Sequence, residues 1–338
     1  FDFEIAGLGG NDVAILSAFA IFIVLLVYRL TQYSKITRDK MIAIAFFCFL
    51  IIFFWGIFEQ APGTLTIFAS DYTNRILTGS SSLTFLVINT LVALVPLAII
   101  NWVLLQLFKQ TFKKYGLANI ILAISFVIIW IITLWMLTNE WYKAGFIELS
   151  DGFREFLLIE KSLDPLTEVP ASWFGVLNSL YIITFAPLFS KWWESKYNPT
   201  ANVKYGIGMF LLALGMACVA FGAGGIEVGA KTASVSMIWL VLVYLFHTLG
   251  ELCISPVALS LVSKLSPARM IAFMFGIYYL AVAIGMKLAG IFGENVDKID
   301  DEKGISYFFW MLTLIAAILG VFSIVMQPVI KKRMHGIR

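Results

Sequence analysis

The chain has 338 residues, of which 60% are hydrophobic and 13% charged, and its net charge is +3. Soluble domains carry about 25% charged residues, so this apolar surplus excludes a soluble globular fold and places much of the chain against lipid or other membrane helices. Cys48, Cys218 and Cys253 stand alone inside apolar runs, without a CxxC or Cys/His cluster; no metal, cofactor or nucleic-acid partner is expected.

The chain opens at Phe1 in a polar, Gly-rich stretch without an initiator Met, and is expected to be cut from something longer. Apolar runs of about 20 residues suffice to cross a bilayer as helices. The sequence predicts nine, at 12–30, 41–60, 84–107, 117–138, 171–192, 204–223, 235–262, 268–292 and 306–328. The basic residues alternate with them. Clusters such as Arg29–Lys40, Lys109–Lys114, Lys191–Lys204, Lys264–Arg269 and Lys331–Arg338 far outnumber the basic residues of the intervening loops. The positive-inside rule then puts the former in the cytoplasm, the N-terminal end outside and the C-terminus inside. The expected organisation is a linker helix and cytoplasmic loop (1–40), a first core helix (41–80), a transmembrane hairpin (81–140), an acidic outer loop capping the interface (141–170), five further core helices (171–330) and a basic tail (331–338).

Ionisable residues inside a span are costly and mark function. Glu59 ends the second span in FFWGIFEQ, where a solvated helix end is an equal reading. Glu251 lies in the seventh, in HTLGELCISP, about 22 Å in from Ser236 at roughly 1.5 Å per residue. A carboxylate at that depth is protonated, hydrated or paired with a cation, which suits it to couple proton uptake to a cationic substrate. Four residues beyond Glu251 comes Ser255-Pro256, where the proline is expected to break the helix beside the buried charge, an arrangement typical of transporter sites. A hydrogen bond from a protonated Glu251 is the bland alternative. His247, one turn earlier, reads as a packing residue more readily than as a site. Lys287, halfway along the eighth span, has no partner that the sequence names, and Asn178 in the fifth reads as packing glue or a substrate contact.

At these residues the chain resembles the proton-dependent oligopeptide transporters of the major facilitator superfamily. FFWGIFEQAPGTLTIFA is similar to that family's seventh core helix, EVPASWFGVLNSLYIITFAPLFSKWW to its eighth, YLFHTLGELCISPVALSLVSKLS to its tenth and FMFGIYYLAVAIGMKLAG to its eleventh. The resemblance covers 11–80 and 168–338. It implies an all-α C-terminal six-helix bundle, a linker helix at 12–30, and an N-terminal six-helix bundle outside this sequence. The hairpin is an insertion, to which no role is assigned beyond lipid-side packing or a protein contact.

By position, the resemblance implies that Glu251 receives a peptide's amino terminus and that Asn178 contacts it. Trp55, Glu59 and Ser255 match positions lining the cavity or its outer gate, and Tyr278 stands where the family has a pocket Trp. Gly175, Ser179 and Met286 depart from the common Gln, Pro and Asn and alter the pocket. The implied activity is symport of di- and tripeptides with protons by alternating access, driven by the proton gradient across the inner membrane, with Glu59 and Glu251 as coupling carboxylates. A relative carrying another small solute, or from another class a membrane-embedded enzyme, is the alternative; no nucleophile–base set or phosphate loop favours an enzyme.

Overall fold

The computed structural model describes residues 31–160 and 166–337, with isolated positions before them (4, 5, 8, 9, 17, 24, 27 and 28). The expected first span, 12–30, lies outside the described residues except for single positions. Among the described residues, eight helices are long and apolar enough to cross a membrane, and the chain is a multi-pass membrane protein. It divides into two compact units, residues 1–74 with 171–338, and residues 75–170.

The first unit contains six of these helices: α1 (Lys35–Phe58), then, beyond the second unit, the helices Phe174–Glu194, Ala201–Gly222, Ile238–Leu265, Ile271–Glu294 and Ile305–Val325. A short α2 (Thr64–Asp71) follows α1. The spans start or end a few residues away from the apolar runs because a helix continues into its polar flank wherever a cap is available. Ser34 caps α1, its hydroxyl accepting from the Thr37 amide at 3.5 Å, so Lys35–Lys40 become helical although they are charged.

The second unit holds α3 (Ser80–Thr111), α4 (Gly116–Lys143) and α5 (Asp151–Phe156). Only residues 112–115 join α3 to α4, so the two run antiparallel. Polar side chains clip them at both ends. Asn89 Nδ2 donates to Glu140 Oε2 at 2.6 Å and Trp141 Nε1 to Thr90 Oγ1 at 2.9 Å, while Thr111 and Asn119 bond across the turn. In an apolar medium such bonds outcompete water and hold a hairpin that buries few side chains. Both helices leave most of theirs exposed, as lipid-facing spans do. The acidic segment folds back onto this hairpin. Strand Ile76–Leu77 pairs antiparallel with Thr167–Glu168, Arg75 bridges Glu168 at 2.6 Å, and Trp135 Nε1 donates to Leu157 O at 2.7 Å. Phe153, Phe156 and Leu158 remain exposed.

Within the first unit the remaining helices are numbered α6 (Phe174–Glu194), α7 (Ala201–Gly222), α8 (Ile238–Leu265), α9 (Ile271–Glu294), α10 (Val296–Lys303), α11 (Ile305–Val325) and α12 (Gln327–Arg333). Helix α7 packs against both α8 and α11, α6 against α8, and α9 against α1. Small residues let α7 serve as this hub: its glycines admit neighbouring backbones closely, which is how membrane helices gain contact without a hydrophobic drive. Asn202 and Ser323 lock α7 to α11 by reciprocal bonds to each other's carbonyls, at 3.2 and 2.9 Å.

Helix α8 runs without interruption through Pro256. This corrects the expected break. Proline removes one hydrogen bond, but Cys253, Ile254, Ala258 and Leu261 on either side are buried, and their packing holds the axis where the missing bond alone would release it.

Beyond the spans, Thr73–Asn74 pair in parallel with Val235–Ser236. The Tyr72 hydroxyl donates to Asp300 Oδ2 at 2.6 Å, both residues being buried. Burial and the Asp300 hydrogen bond push the phenol above its ordinary range, so it remains a donor. Lys231 lies 3.5 Å from Asp297 and 3.7 Å from Asp71; the Asp297 charge raises its pKa, but the pair is exposed and adds little to stability. Tyr72→Phe, by contrast, leaves a buried carboxylate oxygen without its donor. It should lower stability by about 1–3 kcal/mol in thermal unfolding. An unchanged transition would show that the bond contributes nothing.

Candidate functional site

The expected site residues come from four helices of the first unit. Asn178 lies on the second turn of α6 and Glu251 in the middle of α8, and the packing of α6 on α8 brings them together. Asn178 Nδ2 donates to Glu251 Oε2 at 3.2 Å and to Thr248 Oγ1 at 3.0 Å. Thr248 in turn donates to the Tyr244 carbonyl at 2.7 Å. The amide is therefore held by two acceptors on one face of α8, and it fixes the carboxylate without neutralising it. Glu251 is half-buried, and among the described residues no basic side chain forms an ion pair with it. A charge in such a place needs a proton or a cation.

Asn178 also lines a cavity of about 430 Å³ together with Phe58, Thr66, Gly175, Tyr244 and His247. The Tyr244 hydroxyl closes one side by donating to the Ala61 carbonyl at 3.1 Å. His247 is 1% exposed, stacks on Phe58 with ring centroids 5.7 Å apart, and has no hydrogen-bond partner on either ring nitrogen. It packs, as its lone occurrence suggests, but its polar atoms are not satisfied. Tyr244 and Thr248 are the residues that sequence reasoning missed. Their signal is spacing: Thr248 is three residues, and Tyr244 seven, before Glu251, so all three share one helical face.

The other expected residues are placed differently. Glu59 ends α1 as its C-cap and is half-buried, and its charge reaches Glu251. Trp55 and Tyr278 meet where α1 packs on α9. Tyr278 is 4% exposed and packs among Phe47, Cys48, Ile51, Tyr205 and Leu261, away from the cavity lining. Ser255, one turn beyond Glu251, has an enclosed hydroxyl with no partner. Lys287 is exposed on α9, without an ion-pair partner among the described residues. Among the described residues no group of three or more His, Cys, Asp or Glu could hold a metal ion.

Comparison with known proteins agrees with this architecture. Residues 158–311 match the sequence profile of the POT family, PTR2. The uncharacterized transporter YclF of Bacillus subtilis is 38% identical over 176 residues, covering 50% of this chain and 33% of that protein. The peptide transporter YePEPT of Yersinia enterocolitica is 33% identical over 173 residues, covering 50% and 34%. The chain thus spans about a third of the length of these curated relatives. A crystal structure of a peptide transporter POT superposes with a TM-score of 0.59 at 20% identity, covering 96% of this chain and 46% of that one. A POT family transporter in complex with 5-aminolevulinic acid superposes at 0.55 and 18% identity, covering 95% and 54%. At these identities the superpositions speak for the fold, an all-α bundle of the major facilitator type. These relatives and neighbours are transporters, not enzymes. The recognisable similarity to the POT family thus lies in residues 158–311, a little under half of the chain.

Proposed function

We propose that this chain supplies the C-terminal half of the central cavity of a proton-coupled symporter for di- and tripeptides. The observation that carries the reading is the Glu251 carboxylate, held by Asn178 beside a cavity and without a basic ion-pair partner among the described residues. When deprotonated, it accepts a peptide's ammonium; when protonated, it is neutral and releases it. Glu59, within electrostatic reach, is the second coupling carboxylate. Trp55 and Ser255 contact substrate once the second bundle closes the cavity, and Tyr278 supports that wall from behind. The partner is an N-terminal six-helix bundle of the same transporter, and the two rock about the site to expose it alternately to each side. The C-terminus is proposed to lie in the cytoplasm, a reading the basic loops support, and the membrane is proposed to be the inner one.

The names of the relatives support peptides as the substrate class. The neighbour solved with 5-aminolevulinic acid favours a second reading, in which a small amino-bearing solute other than a peptide occupies the same carboxylate.

The test is uptake of labelled dialanine into proteoliposomes under an inward proton gradient. The whole transporter should accumulate it, and a protonophore should abolish the uptake. The 338-residue chain alone should show none, because half of the cavity is missing. Saturable, proton-driven uptake by that chain alone would overturn the two-bundle reading; whole-transporter uptake of 5-aminolevulinic acid but not of dialanine would favour the second.

A further inference from the structure

We infer that the cavity between the end of α6, the start of α7 and the end of α8 is a binding site for a phosphate group, such as the headgroup of an anionic lipid. This cavity is distinct from the one beside Asn178. It has a volume of about 690 Å³, and its lining includes Trp193, Thr200, Lys196, Lys204, Ser260 and Lys264. Three lysines and no carboxylate line it.

Lys204 carries the argument. It is 9% exposed, and its ammonium sits over the Trp193 ring at 4.1 Å from the centroid. Among the described residues no carboxylate forms an ion pair with it, and the charged lysine that influences it, Lys264, has the same sign. A buried ammonium with no carboxylate beside it is costly unless an anion joins it. The cation–π contact compensates only part of that cost.

The backbone supplies a second, independent feature. Helix α7 starts at Ala201, and its N-cap, Thr200, makes no side-chain capping bond; the hydroxyl has no partner. The positive end of a 22-residue helix therefore opens on the same cavity, an arrangement that favours phosphate oxygens. The site is also rigidly built, since the Asn202–Ser323 pair fixes the first turn of α7 to α11. Trp192 and Trp193 stack at 4.5 Å beside it, as amphipathic rings do at a membrane interface. A basic pocket between helix ends at that level suits a lipid phosphate better than a deeply buried ligand.

The test uses the whole transporter, delipidated in detergent, and native mass spectrometry with phosphatidylglycerol or phosphatidylcholine of matched chains. A parallel arm measures thermal stabilisation by inorganic phosphate. Phosphatidylglycerol should bind preferentially. Lys204→Met keeps the apolar stem over Trp193 and should weaken that binding about tenfold or more; Lys196→Met, on the exposed loop, should weaken it about fivefold. Phosphatidylcholine should be insensitive to both changes. The Lys196 variant keeps the test alive if the Lys204 variant fails to fold. Stabilisation of the wild type, but not of Lys204→Met, by inorganic phosphate without a lipid preference would assign the site to a soluble phosphate. Phosphatidylglycerol binding unchanged in both variants would overturn the inference. So would a wild type indifferent to lipid and phosphate alike, an outcome that would point to a carboxylate of the missing half filling the cavity.

Discussion

Glu251→Gln in the whole transporter is expected to weaken binding of a free dipeptide by about 30-fold or more and to leave an N-acetylated dipeptide nearly unaffected. Glutamine keeps the size of the side chain and still accepts the hydrogen bond that Asn178 Nδ2 donates at 3.2 Å, so the local geometry survives. What disappears is the charge. In a cavity shielded from water, loss of one partner of an ion pair costs roughly 2–5 kcal/mol, and each 1.4 kcal/mol or so is tenfold in affinity. An N-acetylated peptide has no ammonium to lose and feels only the exchange of one acceptor for another. Equilibrium binding of both ligands to both proteins gives the four numbers required. Equal losses for the two peptides would show that Glu251 acts on something other than the amino terminus, and a silent substitution would reduce it to a hydrogen-bonding group. Because the comparison measures binding, it does not depend on which step limits transport.

The spans were legible because lipid imposes a simple rule: about 20 apolar residues without relief. That rule marks where helices lie and says little about their ends, which caps such as Ser34 decide. Asn178 and Glu251 were each visible as polar groups in spans, but nothing local says that residues 73 positions apart share a hydrogen bond; their pairing was legible only through the family resemblance. Pro256 misled because its local effect is real and the packing that overrides it is tertiary. Tyr278, at a position the resemblance implies lines the pocket, is buried where α9 packs on α1, a contact that no local pattern announces. The Tyr72–Asp300 bond, across 228 residues, and the burial of Lys204 under Trp193 leave no trace in periodicity, because both depend on how loops return after crossing.

Gly250→Ala should lower the stability of the protein by about 1–3 kcal/mol, and Gly250→Leu by more. The reason lies in the crossing of α7 and α8. A Cβ at Gly250 would stand 2.8 Å from the Gly208 carbonyl oxygen, and a Cβ at Gly208 would stand 2.9 Å from the Gly250 carbonyl and 2.6 Å from Ile254 Cγ1. The obstacle at Gly250 is backbone, which cannot rotate away as a side chain can, so the two helices must separate. Separation loses close contact along the whole α7–α8 face, and contact of this kind is what holds membrane helices together. The controls are Gly276→Ala and Gly290→Ala on α9, where an added Cβ meets nothing within 4 Å. There the helix gains about 0.5–1 kcal/mol from alanine's better propensity. Thermal unfolding of the purified protein should therefore move in opposite directions for the two classes of substitution. A shift in Gly250→Ala no different from the α9 controls would mean that α7 and α8 do not meet at these glycines. The same displacement carries Glu251, the next residue, away from α7, so Gly250→Ala should also weaken binding of the free dipeptide. That loss should extend to the N-acetylated peptide, because a moved helix disturbs the whole wall of the cavity, whereas Glu251→Gln removes a charge and moves nothing.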